Sequence, residues 1–190
     1  MSSARPRLVV GITGASGVIL GIRLLEIARG LGLETHLVLS PSAKVTIAQE
    51  TTWKVSDVLA LADVTYNHQD IGAAIASGSF ATHGMVIIPC SIKTLSAVAN
   101  SYSDELIARA ADVTLKEGRP LVLVVREAPL HRGHLRLMEL ASDSGAVIFP
   151  PMPAFYAHPQ SIEDMVDNIV GRVLARLGIT NDRYTEWKGL

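Results

Sequence analysis

Five short apolar runs punctuate the chain: Arg7–Ile12, Thr35–Leu39, Met85–Ile88, Leu121–Val125 and Ala146–Phe149. They are rich in Leu, Val and Ile and do not alternate with polar residues. That pattern predicts strands buried on both faces. Between the runs the period changes. Val18, Ile22, Leu25, Ala28 and Leu31 recur at helical spacing, with Arg23, Glu26 and Arg29 on the opposite face. Gly30 and Gly32 stop that helix. Ser40 and Pro41 start a second helix, Ser as cap and Pro at the first helical position, running to about Glu50. Further helices are predicted over Ser91–Asn100, Ser103–Glu117 and His134–Ser142. Ser161 caps a last helix, with Asp164 three residues on, and Gly178 ends it. The stretch 51–82 reads as short helices broken at Ser77-Gly78-Ser79. Strands that alternate with helices imply right-handed crossovers. The expected fold is α/β: a doubly wound, Rossmann-like or flavodoxin-like, mostly parallel sheet with helices on both faces. One domain is expected over residues 1–190, with a polar tail from about residue 181.

Composition narrows the function classes. Of 190 residues, 17 are Lys or Arg and 18 are Asp or Glu, a net charge of −1 that gives no basic footprint for nucleic acid or an anionic membrane. Charged residues make up 18%, below the roughly 25% of an average domain. Surface hidden in subunit contacts accounts for such a deficit, as does a well-filled core. Arg5 and Arg7 before the uncharged stretch Leu8–Ile22 superficially resemble a secretory leader, but four glycines, Thr13 and Ser16 interrupt it. No apolar run is long enough to span a membrane. The single cysteine, Cys90, has no internal partner, which suits a reducing cytoplasm.

In a doubly wound sheet, ligands bind beyond the carboxyl ends of the strands. After the first strand stands Thr13-Gly14-Ala15-Ser16-Gly17. It is neither the dinucleotide fingerprint nor a Walker loop, because the spacing is Gly-x-x-Gly and no Gly-Lys pair follows. Its small residues suit either backbone donors for an anion or flavin edge, or tight strand–helix packing. Ser40 ends the second strand. Cys90-Ser91-Ile92-Lys93-Thr94 puts hydroxyls and a cation at the next junction, suited to a phosphate or simply to a capped helix. Arg126-Glu127 directly follows the five apolar residues Leu121–Val125, where a charged pair is rarely filler. His131-x-x-His134 lacks acidic or thiol company, so no metal site is expected.

These segments together resemble a known family. Thr13–Gly17, Pro89-Cys90-Ser91 with Thr94-Leu95-Ser96, Arg109-Ala110-Ala111-Asp112-Val113 and Leu115-Lys116-Glu117 carry the likeness. So do Arg119–Leu123, Arg126-Glu127-Ala128-Pro129, Gly145–Ile148, and Phe155-Tyr156 followed by Pro159-Gln160-Ser161. Over roughly residues 7–180 the chain is similar to the UbiX flavin prenyltransferases, within the broader group of flavin-containing cysteine decarboxylase-like folds. The resemblance implies transfer of a dimethylallyl group from dimethylallyl monophosphate to N5 and C6 of reduced FMN. The product, prenylated FMN, serves a UbiD-type decarboxylase. It also implies sites shared between subunits, commonly in a dodecamer. By similarity Gly14, Ala15, Ser16, Ser40, Ser91, Ile92, Lys93, Thr94, Arg109 and Arg126 hold FMN. Tyr156 and Arg172, with Lys116 and Arg126, hold the prenyl phosphate. Ser16, Glu50, Lys116 and Glu127 are the implied catalytic residues. Gln49 departs from the family's local pattern, although the Glu50-Thr51 pair is kept.

The residue chemistry agrees with that implication. A departing phosphate dianion needs cations and donors around it, and Glu127 suits proton transfer. There is no Asp-Asp-x-x-Asp clamp for magnesium. Two rivals share the fold. Flavin-dependent cysteine decarboxylases use a His soon after the first helix, and none lies between Gly17 and Glu34. A non-catalytic FMN-binding accessory subunit would have no need of Lys116, Glu127 and Tyr156, yet all three are present.

Overall fold

The computed structural model describes residues 5–189. Six parallel strands form one sheet, in chain order β1 (Arg7–Ile12), β2 (Glu34–Leu39), β3 (Val64–Tyr66), β4 (Gly84–Cys90), β5 (Leu121–Val125) and β6 (Val147–Ile148). Their spatial order is β3-β2-β1-β4-β5-β6. The chain winds outward from β1 in one direction, then returns and winds from β4 in the other. The order therefore reverses between β1 and β4, where a crevice opens at the carboxyl edge.

Seven helices cover the sheet: α1 (Val18–Gly30), α2 (Pro41–Glu50), α3 (Val55–Leu59), α4 (Ile92–Ala99), α5 (Leu106–Lys116), α6 (Arg132–Asp143) and α7 (Ile162–Arg176). One core packs α1, α2, α3 and α7 on one face, around Leu8, Val10, Ile12, Ile22, Leu25 and Val173. A second packs α4, α5 and α6 on the other, around Val9, Met85, Ile87, Leu95, Ile107 and Leu123. Alternate residues of β1 enter opposite cores, which explains why the run is apolar throughout.

The strand–helix seam is unusually tight. A Cβ on Gly21 would lie 2.4 Å from the Ile88 carbonyl oxygen, so α1 can sit against β4 only with glycine there. Gly17 has φ +96° and turns the chain from β1 into α1.

The structure departs from the expected elements in four places. The stretch 51–82 holds α3 and a one-turn 3-10 helix, Ala74–Ala76, as expected, but also a short edge strand, β3. β4 runs through Pro89 to Cys90 rather than stopping before it, with a register shift against β5 between Ile87 and Cys90. α5 starts at Leu106, not Ser103, because the Leu106 N–H is taken by the distant His68 carbonyl. α6 starts at Arg132, where the His131 ring accepts the Gly133 N–H. Among the described residues no helix is long and apolar enough to cross a membrane.

Candidate functional site

The loops that follow β1, β2, β4, β5 and β6 lie side by side along the carboxyl edge of the sheet. Thr13 ties two of them together. Its hydroxyl donates to the Pro89 carbonyl at 2.7 Å and accepts from the Ser91 N–H at 2.8 Å. The β1 and β4 loops are thus locked at a fixed spacing across the switch point. Between them opens a cavity of about 400 Å³ lined by Gly14, Ser40, Ser42, Ser91, Thr94 and Lys93, together with His68 and Glu105. That is ample for a small ligand. Two helix N-termini face it. Ser40 caps α2 through the Ala43 N–H, and Ser91 caps α4 through the Thr94 N–H. Ile92 opens α4 beside them. Lys93 is balanced rather than bare, its Nζ lying 3.3 Å from the buried Glu105 carboxylate.

The third N-terminus, that of α1, is already filled. The Gly17 N–H donates to Glu50 Oε2 at 2.8 Å. Burial would raise the Glu50 pKa. Hydrogen bonds from the Ser16 hydroxyl and the Gly17 and Val18 N–H groups outweigh it, with the charge of Arg126 adding to them, and hold the carboxyl below its usual range. The α1 terminus therefore binds the protein's own carboxylate, the charge a helix dipole favours there. The Gly17 and Val18 N–H groups belong to Glu50, and a Cβ on Gly14 would lie 2.3 Å from Ser42 Cβ, so the Gly-x-x-Gly turn also serves close packing against α2. Ala15 sits in the same turn, next to Ser16. Ser16, Glu50 and Arg126 form one electrostatic cluster beside the crevice. The Arg126 N–H is anchored to the Cys90 carbonyl at 3.2 Å. Cys90 itself is inert packing. Burial pushes its thiol pKa well above the usual range, so no thiolate forms.

Beyond β6 a second cavity, about 510 Å³, is bounded by Phe149, the proline loop 150–155, Tyr156, Ile169 and Arg172. Tyr156 and Arg172 both line it. The Tyr156 hydroxyl donates to the Thr185 carbonyl at 3.3 Å, and the Arg172 guanidinium lies 5.7 Å from the Tyr184 ring centre. The polar tail thus packs back along this cavity, with Trp187 edge-on to Tyr156. Glu127 is exposed and, among the described residues, bonds only its neighbour's N–H, that of Ala128.

Two of the expected residues lie on α5, and one of them, Lys116, stands apart from the crevice within one protomer. Arg109 pairs with Asp112 on α5. Lys116 ends α5 and pairs with Glu117 at 2.5 Å, close to Gly78. The other end of α5 touches the crevice through Glu105, so Lys116 lies an eleven-residue helix away, about 16 Å, at the opposite edge of the sheet. The sequence reading missed Thr13, His68 and Glu105. Thr13 stood in the quoted motif, but its clamp spans 78 residues to Ser91 and has no local signature. Among the described residues no group of three or more His, Cys, Asp or Glu side chains is placed to hold a metal ion.

Comparisons with known proteins bear on this geometry. The Flavoprotein family model matches residues 1–174. Flavin prenyltransferase UbiX of Escherichia coli K12 is 57% identical over 186 residues, covering 96% of this chain and 98% of that protein. The crystal structure of AnUbiX (PadA1) in complex with FMN and dimethylallyl pyrophosphate superposes with a TM-score of 0.96 at 49% identity, over 98% of this chain and 99% of the other. A dodecameric FMN-dependent UbiX-like decarboxylase from Escherichia coli O157:H7 superposes with a TM-score of 0.93 at 50% identity, over 96% and 100%.

Proposed function

The chain belongs to the UbiX flavin prenyltransferase family, and on that premise we propose that it prenylates reduced FMN with dimethylallyl monophosphate. The observation that carries this reading is the pair of cavities beyond the carboxyl ends of the strands. The switch-point cavity, lined with hydroxyls and two capped helix N-termini, fits FMN. The cavity beyond β6, with Tyr156 and Arg172 at its rim, fits a prenyl phosphate.

In this reading FMN is the acceptor. A bond forms between flavin N5 and an allylic carbon of the prenyl group. The carbon–oxygen bond breaks, and its electron pair leaves with the phosphate. The prenyl alkene then takes up a proton at its CH carbon, flavin C6 bonds to the dimethyl-bearing carbon to close the new ring, and the C6 proton is lost. The protein's own residues supply the rest. Gly14, Ala15, Ser40, Ser91, Ile92, Lys93, Thr94, Arg109 and Arg126 bind FMN. Ser16, hydrogen-bonded to the ionised Glu50, stands at the turn where N5 is expected, and Glu50 is charged and able to accept a proton. Tyr156, Arg172, Arg126 and Lys116 receive the phosphate charge as donors and cations held in place before it develops. Glu127 carries a proton to or from the phosphate or the flavin.

Lys116 reaches such a site only from a neighbouring subunit, given its place at the far end of α5. A dodecamer is therefore part of the proposal. Exposed Met152 and Phe155 on the proline loop support it, since both are apolar and lie open at the rim of the second cavity. One flavin prenyltransferase domain spans the chain. The product would pass to a UbiD-type decarboxylase. A cytoplasmic location fits the single buried cysteine.

The test is an anaerobic assay with reduced FMN and dimethylallyl monophosphate, without added metal, followed by mass analysis of the flavin. Wild-type protein is expected to yield the prenyl adduct. Glu127→Gln keeps the shape but not the carboxylate, and is expected to bind FMN normally while prenylation slows by roughly a hundredfold. No adduct from the wild type would overturn the reading.

A further inference from the structure

The buried face of α7 is apolar at Val166, Ile169, Val170, Val173 and Leu174, with one exception, Asn168. This residue is only 8% exposed, yet its amide makes no hydrogen bond to the protein among the described residues. Asn181 shows the contrast. Its amide donates to the Gly171 and Ile179 carbonyls and its oxygen accepts the Arg183 N–H. Its polar atoms are not sealed off, since among the described residues the one fully buried side-chain nitrogen or oxygen without a partner is His134 Nδ1; the Asn168 amide is accessible and free to bond a ligand. Asn168 lines the cavity beyond β6, one helical turn before Arg172 and on the same face of α7. Tyr156 closes the same cavity.

We propose that Asn168 is a third ligand of the leaving phosphate, donating its amide N–H from the cavity floor while Arg172 and Tyr156 act at the rim. The inference rests on the prenyl-phosphate reading of this cavity. The chemistry favours a neutral donor at this depth. A cation so buried would bear its desolvation cost whenever the cavity is empty, whereas an amide bears much less and still shortens its bond to a dianion. Arg172, which is exposed, supplies the charge. Each partner thus sits where its solvation is least penalised. Asn168 also explains why α7 tolerates a polar residue in its packed face.

The experiment compares the wild-type holo-oligomer with Asn168→Leu, which keeps the volume and removes the donor, and Asn168→Asp, which keeps the shape and reverses the preference for an anion. Three quantities are read: KM for dimethylallyl monophosphate, kcat, and the inhibition constant of inorganic phosphate. Losing one hydrogen bond to a charged group is expected to raise KM and the phosphate inhibition constant by tenfold or more in Asn168→Leu. Asn168→Asp should raise them further, and FMN affinity should stay unchanged in both. A folded Asn168→Leu with wild-type KM and phosphate inhibition would overturn the inference while leaving prenyl transfer intact. If that variant fails to assemble, Asn168→Asp decides alone, because a purely structural amide predicts no selective loss of phosphate affinity. If the wild type binds FMN but makes no adduct, the reading of the cavity fails, and this inference with it.

Discussion

Thr13→Val is the sharpest probe of how the fold builds the crevice. Valine has almost the shape of threonine, and Thr13 is 2% exposed, so packing is preserved and only the hydroxyl is lost. Two hydrogen bonds disappear, at 2.7 and 2.8 Å. Each contributes about 1 kcal/mol net. The consequences for the partners differ. The Pro89 carbonyl still accepts the Thr13 N–H at 3.3 Å. The Ser91 N–H loses its partner, which adds roughly 1–2 kcal/mol. The total is about 3–4 kcal/mol, or a fall in Tm of roughly 6–16 °C for a chain of this size. The effect on function is local. Ser91 caps α4 and its hydroxyl faces the cavity, so freeing its turn should weaken FMN binding by about tenfold. Thr13→Ser keeps the hydroxyl and should recover most of both losses. Thermal unfolding of the apo and FMN-loaded protein, with a flavin fluorescence titration, measures all of this. A Thr13→Val protein within 2 °C of wild type, or one that binds FMN as tightly, would refute the clamp.

Gly14→Ala should lower FMN affinity more than stability, because its Cβ would meet Ser42 at 2.3 Å and push the β1 turn away from α2; an FMN titration of the variant checks it. Glu50→Gln should leave the α1 N–H groups partnered but remove the charge beside Ser16 and Arg126, so prenylation should drop by tenfold or more with little change in folding, as paired kinetics and melting would show. Asp63 is held down at about 2 from 3.8, first by its hydrogen bond to Arg5, then by the Thr35 N–H and hydroxyl against opposing burial. Its folded pKa is depressed, so the stability it lends is full above 3.8 and is lost as pH falls toward 2. Acid titration of the melting temperature should therefore lose part of its slope in Asp63→Asn, and an identical profile would contradict it.

The strands and most helices could be read from local signals because both faces of this sheet are covered, so β1, β4 and β5 are almost wholly apolar and β2 ends in the apolar Leu37-Val38-Leu39. β3 escaped because an edge strand of three residues, Val64–Tyr66, carries an exposed threonine at its centre and buries little. The start of α5 escaped for another reason. Ser103, Asp104 and Glu105 look like a first turn, yet the Leu106 N–H is claimed by the His68 carbonyl, a contact across 38 residues. The site was legible to a similar degree. Hydroxyls and glycines at strand ends announced the crevice. Which anion fills the α1 terminus was not legible, since Glu50 reaches it from the far end of α2.

The placement of Lys116 leads to a prediction about the assembly. Lys116 precedes β5 and Glu127 follows it, and β5 has five residues, about 16 Å of strand. Side chains of one protomer at the two ends of β5 do not converge on a single phosphate. If both act in one reaction, they come from different subunits of a symmetric oligomer. Lys116→Ala and Glu127→Gln should then each inactivate a homo-oligomer and complement one another when mixed. With equal amounts and random assembly, half the subunits offer an intact Lys116 and half an intact Glu127. About a quarter of the sites therefore regain both, and activity should recover to about a quarter of wild type. Lys116 and Glu127 acting from one chain predict no recovery. The measurement is prenylation by oligomers formed from differently tagged variants, purified through both tags after co-expression. Activity no higher than that of the single variants would place both residues in one protomer and overturn the shared site.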